Sequence, residues 1–144
     1  VSGVWAVVPV KEFTGAKQRL SPALSPEERR ALATIMLEDV LDALSAVSEL
    51  AGLIVITVDP AATSLAVRYG ARVVKEGARE GHTGAVAAAQ RLLVREGRAA
   101  MMTMPGDIPL LTSAEIAATL ASHRTAPAFT IVPAHDDLGS NTIV

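Results

Sequence analysis

The 144 residues contain no cysteine. That excludes disulfides, thiolate metal sites and cysteine nucleophiles, and leaves the redox compartment open. Aromatic residues make up only 3% of the chain against 50% hydrophobic, so a core must be built mostly from Ala, Val, Leu and Ile. Neither sign of charge dominates. The formal net charge is -2, with no general basic field to draw nucleic acid. No apolar run approaches the length of a membrane span. No signal-peptide pattern is visible, Val1 implies that the natural start lies upstream, and the cytoplasm is the expected setting. Repeats, linkers and low-complexity stretches are also missing, which leaves one domain with a single sizeable core over residues 1–144.

What is present is an alternation of strand and helix signals. Residues 4–10 read as an apolar strand and residues 11–21 as a polar loop. Ser25, Pro26 and Glu28 then supply an N-cap, a first helical position and the far half of a capping box. Leu32, Ile35, Met36, Val40, Ala43, Leu44 and Val47 mark one apolar face at helical spacing. A second strand over 53–58 is stopped by Asp59-Pro60, a short helix over 61–69 is closed by Gly70, and residues 71–74 form a third strand. Residues 81–84 read as a small-residue loop leading into an Ala-rich helix that ends near 95–97. Residues 99–104 carry no charge and predict a strand buried on both faces, as in parallel sheets. Thr112 and Glu115 form a second capping box before a helix to His123, residues 128–133 a fifth strand, and residues 142–144 the opening of a sixth. With right-handed crossovers this order predicts an α/β fold, a doubly wound, mostly parallel Rossmann-like sheet with helices on both faces. The sequence stops on the apolar pair Ile143-Val144. A C-terminal part is therefore expected to be absent, with an open strand edge that favours self-association, a homodimer in its simplest form.

Chemistry gathers in three places. Pro105 and Gly106 stop the fourth strand, so Asp107 falls just past its carboxyl end, the edge where open α/β sheets bind ligands. A carboxylate there suits a divalent cation held against a nucleotide phosphate, and a turn-forming Asp fits about as well. Lys11, Lys17 and Arg19 follow Pro9 and Val10 at the same edge, where they would neutralise a triphosphate and its leaving pyrophosphate or form a solvated charged loop. The loop has neither the glycine spacing of a dinucleotide fingerprint nor that of a Walker A loop. In Gly81-His82-Thr83-Gly84-Ala85, glycines at a helix start allow close approach of an anion or a base edge. Thr83 as a simple N-cap is the favoured reading of that segment, and His82 lacks the second ligand a metal site needs. Asp136, Gly139, Ser140 and Asn141 follow the fifth strand. Asp136 would approach Asp107 and share one or two magnesium ions, with Ser140 and Asn141 donating to an oxyanion. A polar hairpin loop is the alternative. Asp59 reads as a turn or cap residue rather than a base contact.

In combination, Pro9-Val10-Lys11, Ala16-Lys17-x-Arg19-Leu20, Gly106-Asp107-x-Pro109-Leu110 and Asp136-x-x-Gly139 with Asn141 nearby resemble one family over the whole chain and in the expected order. These are the guanylyltransferases of coenzyme F420 biosynthesis, which act on 2-phospho-L-lactate, phosphoenolpyruvate or 3-phosphoglycerate. They sit with the molybdenum-cofactor guanylyltransferases among nucleotidyltransferases whose fold is like that of the nucleotide-diphospho-sugar transferases. The resemblance implies GMP transfer from GTP to the phosphate of a small phosphorylated three-carbon acid, with magnesium as cofactor and no nucleic-acid or membrane partner. It assigns Lys11, Lys17, Arg19 and Asp107 to catalysis, and Asp107 with Asp136 to the metal. Pro9, Val10, Lys11, Thr83, Gly84 and Gly106 go to the nucleotide, and Asp136, Gly139, Ser140 and Asn141 to the acceptor. The chain departs from the family where members commonly carry Leu-Asn-Ala and this sequence has His82-Thr83-Gly84-Ala85, and the Gly-Thr-rich stretch is shortened to Gly139-Ser140-Asn141. Members continue with a Phe-Gly and Ser-Phe segment that lines the acceptor pocket, so the 144-residue form is expected to bind GTP better than it turns over an acceptor. A molybdenum-cofactor-type transferase and a non-catalytic nucleotide-binding relative are the alternatives. The Asp-x-Asp of a metal-dependent glycosyltransferase is replaced by Asp107-Ile108-Pro109.

Overall fold

The computed structural model describes residues 3–144. Along the described chain the elements are β1 (Val4–Pro9), α1 (Pro26–Ser45), β2 (Leu50–Ile56), α2 (Pro60–Arg68), β3 (Arg72–Val74), α3 (Gly81–Arg95), β4 (Ala100–Thr103), α4 (Ser113–Ser122), β5 (Ile131–Pro133) and β6 (Ser140–Ile143). The strands form one sheet in the order β3-β2-β1-β4-β6-β5. β1 pairs in parallel with β2 and β4, and β2 with β3. β6 runs antiparallel to both β4 and β5.

Strand alternation explains why β1 is apolar throughout. Val4, Ala6 and Val8 point to one face of the sheet, where Leu37, Val40, Leu41 and Leu44 of α1, Ala62 and Leu65 of α2, and Ile116 and Leu120 of α4 pack on them. Val7 points the other way, with Ile54 and Ile56 of β2, onto Ala85, Ala89 and Leu93 of α3. A strand covered on both faces has no polar side to show. Small Ala side chains let α3 lie close on the sheet.

Both capping boxes form as the sequence predicts. The Ser25 hydroxyl accepts from the Glu28 N–H at 3.1 Å, and the Glu28 carboxylate accepts from the Ser25 N–H at 2.7 Å. Thr112 and Glu115 repeat the exchange at 3.2 and 2.8 Å. Three expectations are corrected. The apolar buried face of α1 is carried by Ala33, Leu37, Val40, Leu41, Ala43 and Leu44, so that Val40, Ala43 and Leu44 lie inside as expected, while Ile35 is 55% exposed and Leu37 and Leu41 take the inward places. Residues 81–84 are the first turn of α3, and Thr83 lies inside it rather than capping it. Gly81 takes φ +73°, the left-handed conformation that glycine adopts freely, and so turns the chain into the helix. The final strand does not leave an open edge of its own. β6 sits between β4 and β5, and the sheet edges are β3 and β5.

Candidate active site

The chain leaves β1 through α1 toward β2, and enters β4 from the other side through α3. The loops at the carboxyl ends of β1 and β4 therefore part at the topological switch point, where open α/β sheets form their ligand crevice. Lys17 on the first loop and Asp107 on the second meet there. Lys17 Nζ lies 2.7 Å from Asp107 Oδ2, across 90 residues of sequence. The side chains are 24% and 54% exposed. A pair this open contributes at most about 1 kcal/mol to stability, so its meaning is positional. Gly106 makes the approach possible. A Cβ there would stand 3.2–3.4 Å from side-chain atoms of Leu37, Val10 and Val8, so the turn settles directly over the end of β1.

The first loop is pinned from beneath. Phe13 is buried in the core, and its N–H donates to Asp59 Oδ2 at 2.8 Å. The other Asp59 oxygen accepts from the Ala62 N–H at 2.9 Å, capping α2, and the Asp59 N–H donates to Thr57 Oγ1 at 3.0 Å. Asp59 is thus the cap expected from the sequence and also an anchor for the loop, which sequence reasoning missed. Lys17 takes φ +53° and ψ +41°, a left-handed conformation costing roughly 1–3 kcal/mol for a residue other than glycine. The surrounding fold sustains that strain: Phe13 on one side, a single 3-10 turn over Gln18–Leu20 on the other, and Asp107 at the tip.

Lys11 and Arg19 are exposed on the same loop, and among the described residues neither is recorded in an ion pair. Pro9 ends β1 half-buried, and Val10 is buried, its N–H donating to the Ile56 carbonyl at 2.9 Å. His82 and Thr83 are exposed at the start of α3. A Cβ on Gly84 would lie 2.3 Å from Glu80 Cβ, so this glycine lets the preceding loop fold back on the helix. That loop carries a cation the sequence reading missed. Arg79 Nη2 lies 3.3 Å from Glu12 Oε1, joining the α3 entry to the first loop. The signal was invisible locally, because the two residues are 67 positions apart.

Two cavities open at this edge. The larger, about 450 Å³, is lined by Asp107, Ile108, Leu111, Glu115, Ile116 and Asn141 among others. The smaller, about 350 Å³, lies between His82 of α3, Thr103 and Pro105 after β4, and Ser140 to Ile143 of β6. Met104, Asn141 and Thr142 line both. Asp136 lines neither. Its carboxylate accepts the Leu138 N–H at 3.1 Å in the β5–β6 hairpin, where the Gly139 carbonyl accepts from Ala134 at 2.9 Å. Among the described residues no three His, Asp or Glu side chains gather to hold a metal ion. The fold therefore brings Asp107 together with Lys17 and with Asn141, and leaves Asp136 in the hairpin turn.

A family model described as "Guanylyl transferase CofC like" matches residues 4–144. The phosphoenolpyruvate guanylyltransferase of Conexibacter woesei is 36% identical over 141 residues, covering 97% of this chain and 63% of its own length. The 2-phospho-L-lactate guanylyltransferase of Methanothermobacter thermautotrophicus is 34% identical over 139 residues, covering 96% of this chain and 60% of its own. The chain thus spans somewhat less than two thirds of these relatives. A solved structure from Desulfovibrio desulfuricans, assigned to the nucleotide-diphospho-sugar transferases, superposes with a TM-score of 0.74 at 16% identity, covering 99% of this chain and 63% of its own. That likeness bears on the fold, which is the nucleotide-diphospho-sugar transferase arrangement expected from the sequence. No helix among the described residues is long and apolar enough to cross a membrane.

Proposed function

This chain belongs to the CofC-like guanylyl transferase family, and on that premise we propose that it moves GMP from GTP to the phosphate of a small phosphorylated three-carbon acid, releasing pyrophosphate, in coenzyme F420 biosynthesis. The observation that carries the reading is the meeting of Lys17 and Asp107 at the switch point of the sheet. The attacking oxygen belongs to a phosphate that is already ionised, so no general base is required. The obstacle is one anion approaching another, and the loop cations Lys11, Lys17 and Arg19 lower it while holding the triphosphate. Thr83 and Gly84 in the first turn of α3 are assigned to the guanosine end, with Pro9, Val10 and Gly106 shaping the floor.

Magnesium fits the donor chemistry at Asp107. The ion favours hard oxygen ligands and is commonly held by one or two carboxylates plus substrate phosphates, so a single well-placed Asp suffices. When bound it supplies positive charge at the reacting phosphate. Lys17 neutralises Asp107 when no ligand is present, and in the complex it turns to the triphosphate. Asp136 would serve as a second ligand on releasing the Leu138 N–H.

The test, made on the full-length natural protein, is pyrophosphate release with GTP, ATP or CTP against 2-phospho-L-lactate, phosphoenolpyruvate and 3-phosphoglycerate. Release with GTP and at least one acid is expected, and release with none of the acids would overturn the reading.

A further inference from the structure

Between Phe13 and Arg29 no residue of the first loop or of the α1 entry is buried. The segment that carries Lys17 and Arg19 thus has little core of its own and is fastened at its two ends. Phe13 holds one end through Asp59. At the other end stands Arg29, only 7% exposed. Arg29 occupies a place that suits an apolar side chain. It lies one helical turn before Ala33 and two before Leu37, on the inward face of α1. Among the described residues no carboxylate pairs with it, and its Nε is buried without a hydrogen-bond partner. It also lies near the N-terminus of α1, the end of a helix that disfavours a cation. A charge buried without a counter-charge is costly. Stability of the fold alone therefore gives no reason for an arginine here.

What the guanidinium does hold is the loop. Arg29 Nη1 donates to the Leu24 carbonyl at 2.8 Å, the Leu24 N–H donates to the Leu20 carbonyl at 2.9 Å, and the Leu20 N–H donates to the Lys17 carbonyl at 2.9 Å. A run of hydrogen bonds through Leu24 and Leu20 thus links a buried cation to the backbone of Lys17, whose side chain meets Asp107. An apolar side chain would fill the same space but offers the Leu24 carbonyl no donor. We infer that Arg29 is a positioning residue: it fixes the exit of the first loop so that Lys17 is set for the triphosphate, at a cost to stability. The inference rests on the transferase reading for the identity of that anion.

Arg29→Met keeps the buried stem and removes the charge, so stability and function should part. In the full-length natural protein we expect its melting temperature to hold or rise, because an unpaired buried charge is gone. Amide exchange at Leu20 and Leu24 in the ligand-free protein should quicken by about tenfold, the range of a lost hydrogen bond to a charged group. Calorimetric titration with GTP and magnesium should show affinity about tenfold weaker, as for Lys17→Ala. Arg29→Lys, which keeps a charged donor, should recover part of both losses. The double variant Arg29→Met with Lys17→Ala should bind GTP no more weakly than Lys17→Ala alone, because the two act in series. Unchanged exchange, a lowered melting temperature, or an additive loss in the double variant would overturn the inference. Failure of the transferase reading is separate: it shows as absent pyrophosphate release, while exchange at Leu20 and Leu24 still decides whether Arg29 sets the loop.

Discussion

Asp59 governs a loop through Phe13, 46 residues before it. Its two oxygens satisfy the N–H of Phe13 and the N–H of Ala62, and both contacts are buried. Asp59→Ala leaves those donors unpaired, which costs about 1–3 kcal/mol for each group that stays dry. We expect a lower urea midpoint together with weaker GTP binding, because the Lys17 loop loses its anchor. An unchanged midpoint would show that the contact is not made. Lys17→Ala should behave in the opposite way. Its ion pair is exposed, so the melting temperature should barely move, while the GTP requirement rises by about tenfold through a lost charge-assisted contact. A variant that melts early and keeps normal kinetics would make the loop a merely solvated one. Asp59 was readable as a cap because a cap spans three residues, and so was the Asp107 turn. Its hold on Phe13 was not, since nothing in the local pattern around either residue names the other.

At the scale of elements, the helix starts carry a pH signature. Hydrogen bonds from the Ser25 backbone and then its hydroxyl hold Glu28 below the ordinary carboxylate range, and the Thr112 hydroxyl and then its backbone do the same to Glu115. A lowered carboxylate contributes stability that is present above its unfolded value of 4.5 and lost as pH falls through the lower folded value. The paired variant Glu28→Gln with Glu115→Gln should therefore lose less stability than the wild type as pH falls below 4.5, read from urea midpoints across the acid range. Parallel curves would contradict the caps. Tyr69 at the end of α2 has the other sign. Its hydroxyl donates to Asp42 of α1, which pushes it up to about 12, so this tie holds at lower pH and fails as pH rises through that value. Capping boxes are local, and both were legible. The face of α1 was legible only in its second half, where Val40, Ala43, Leu44 and Val47 are buried: earlier on, Ile35 and Leu37 are equally apolar, and only the packing of α2 and the sheet decides that Leu37 and Leu41 turn inward. The α3 start was misread because glycines punctuate a sequence, whereas here Gly81 turns the chain and Gly84 admits Glu80.

Over the whole molecule, strand and helix alternation was enough to give the parallel sheet and its covered faces. The insertion of β6 between β4 and β5 depends on antiparallel pairing, such as Thr103 with Ile143, that periodicity does not encode. The site has the same character. Lys17 and Asp107 were each identifiable from their own segments, but their contact exists only because β1 and β4 are neighbours in the sheet. The central claim is that this junction holds a metal-bound nucleotide for transfer. Pyrophosphate release from GTP with phosphoenolpyruvate and magnesium, compared between the full-length natural protein and its Asp107→Asn variant at matched melting temperature, tests it most directly. The account predicts release by the wild type that is abolished in the variant, because the amide no longer offers the metal a charged oxygen and several kcal/mol of transition-state stabilisation disappear. Near-normal release by Asp107→Asn would contradict it.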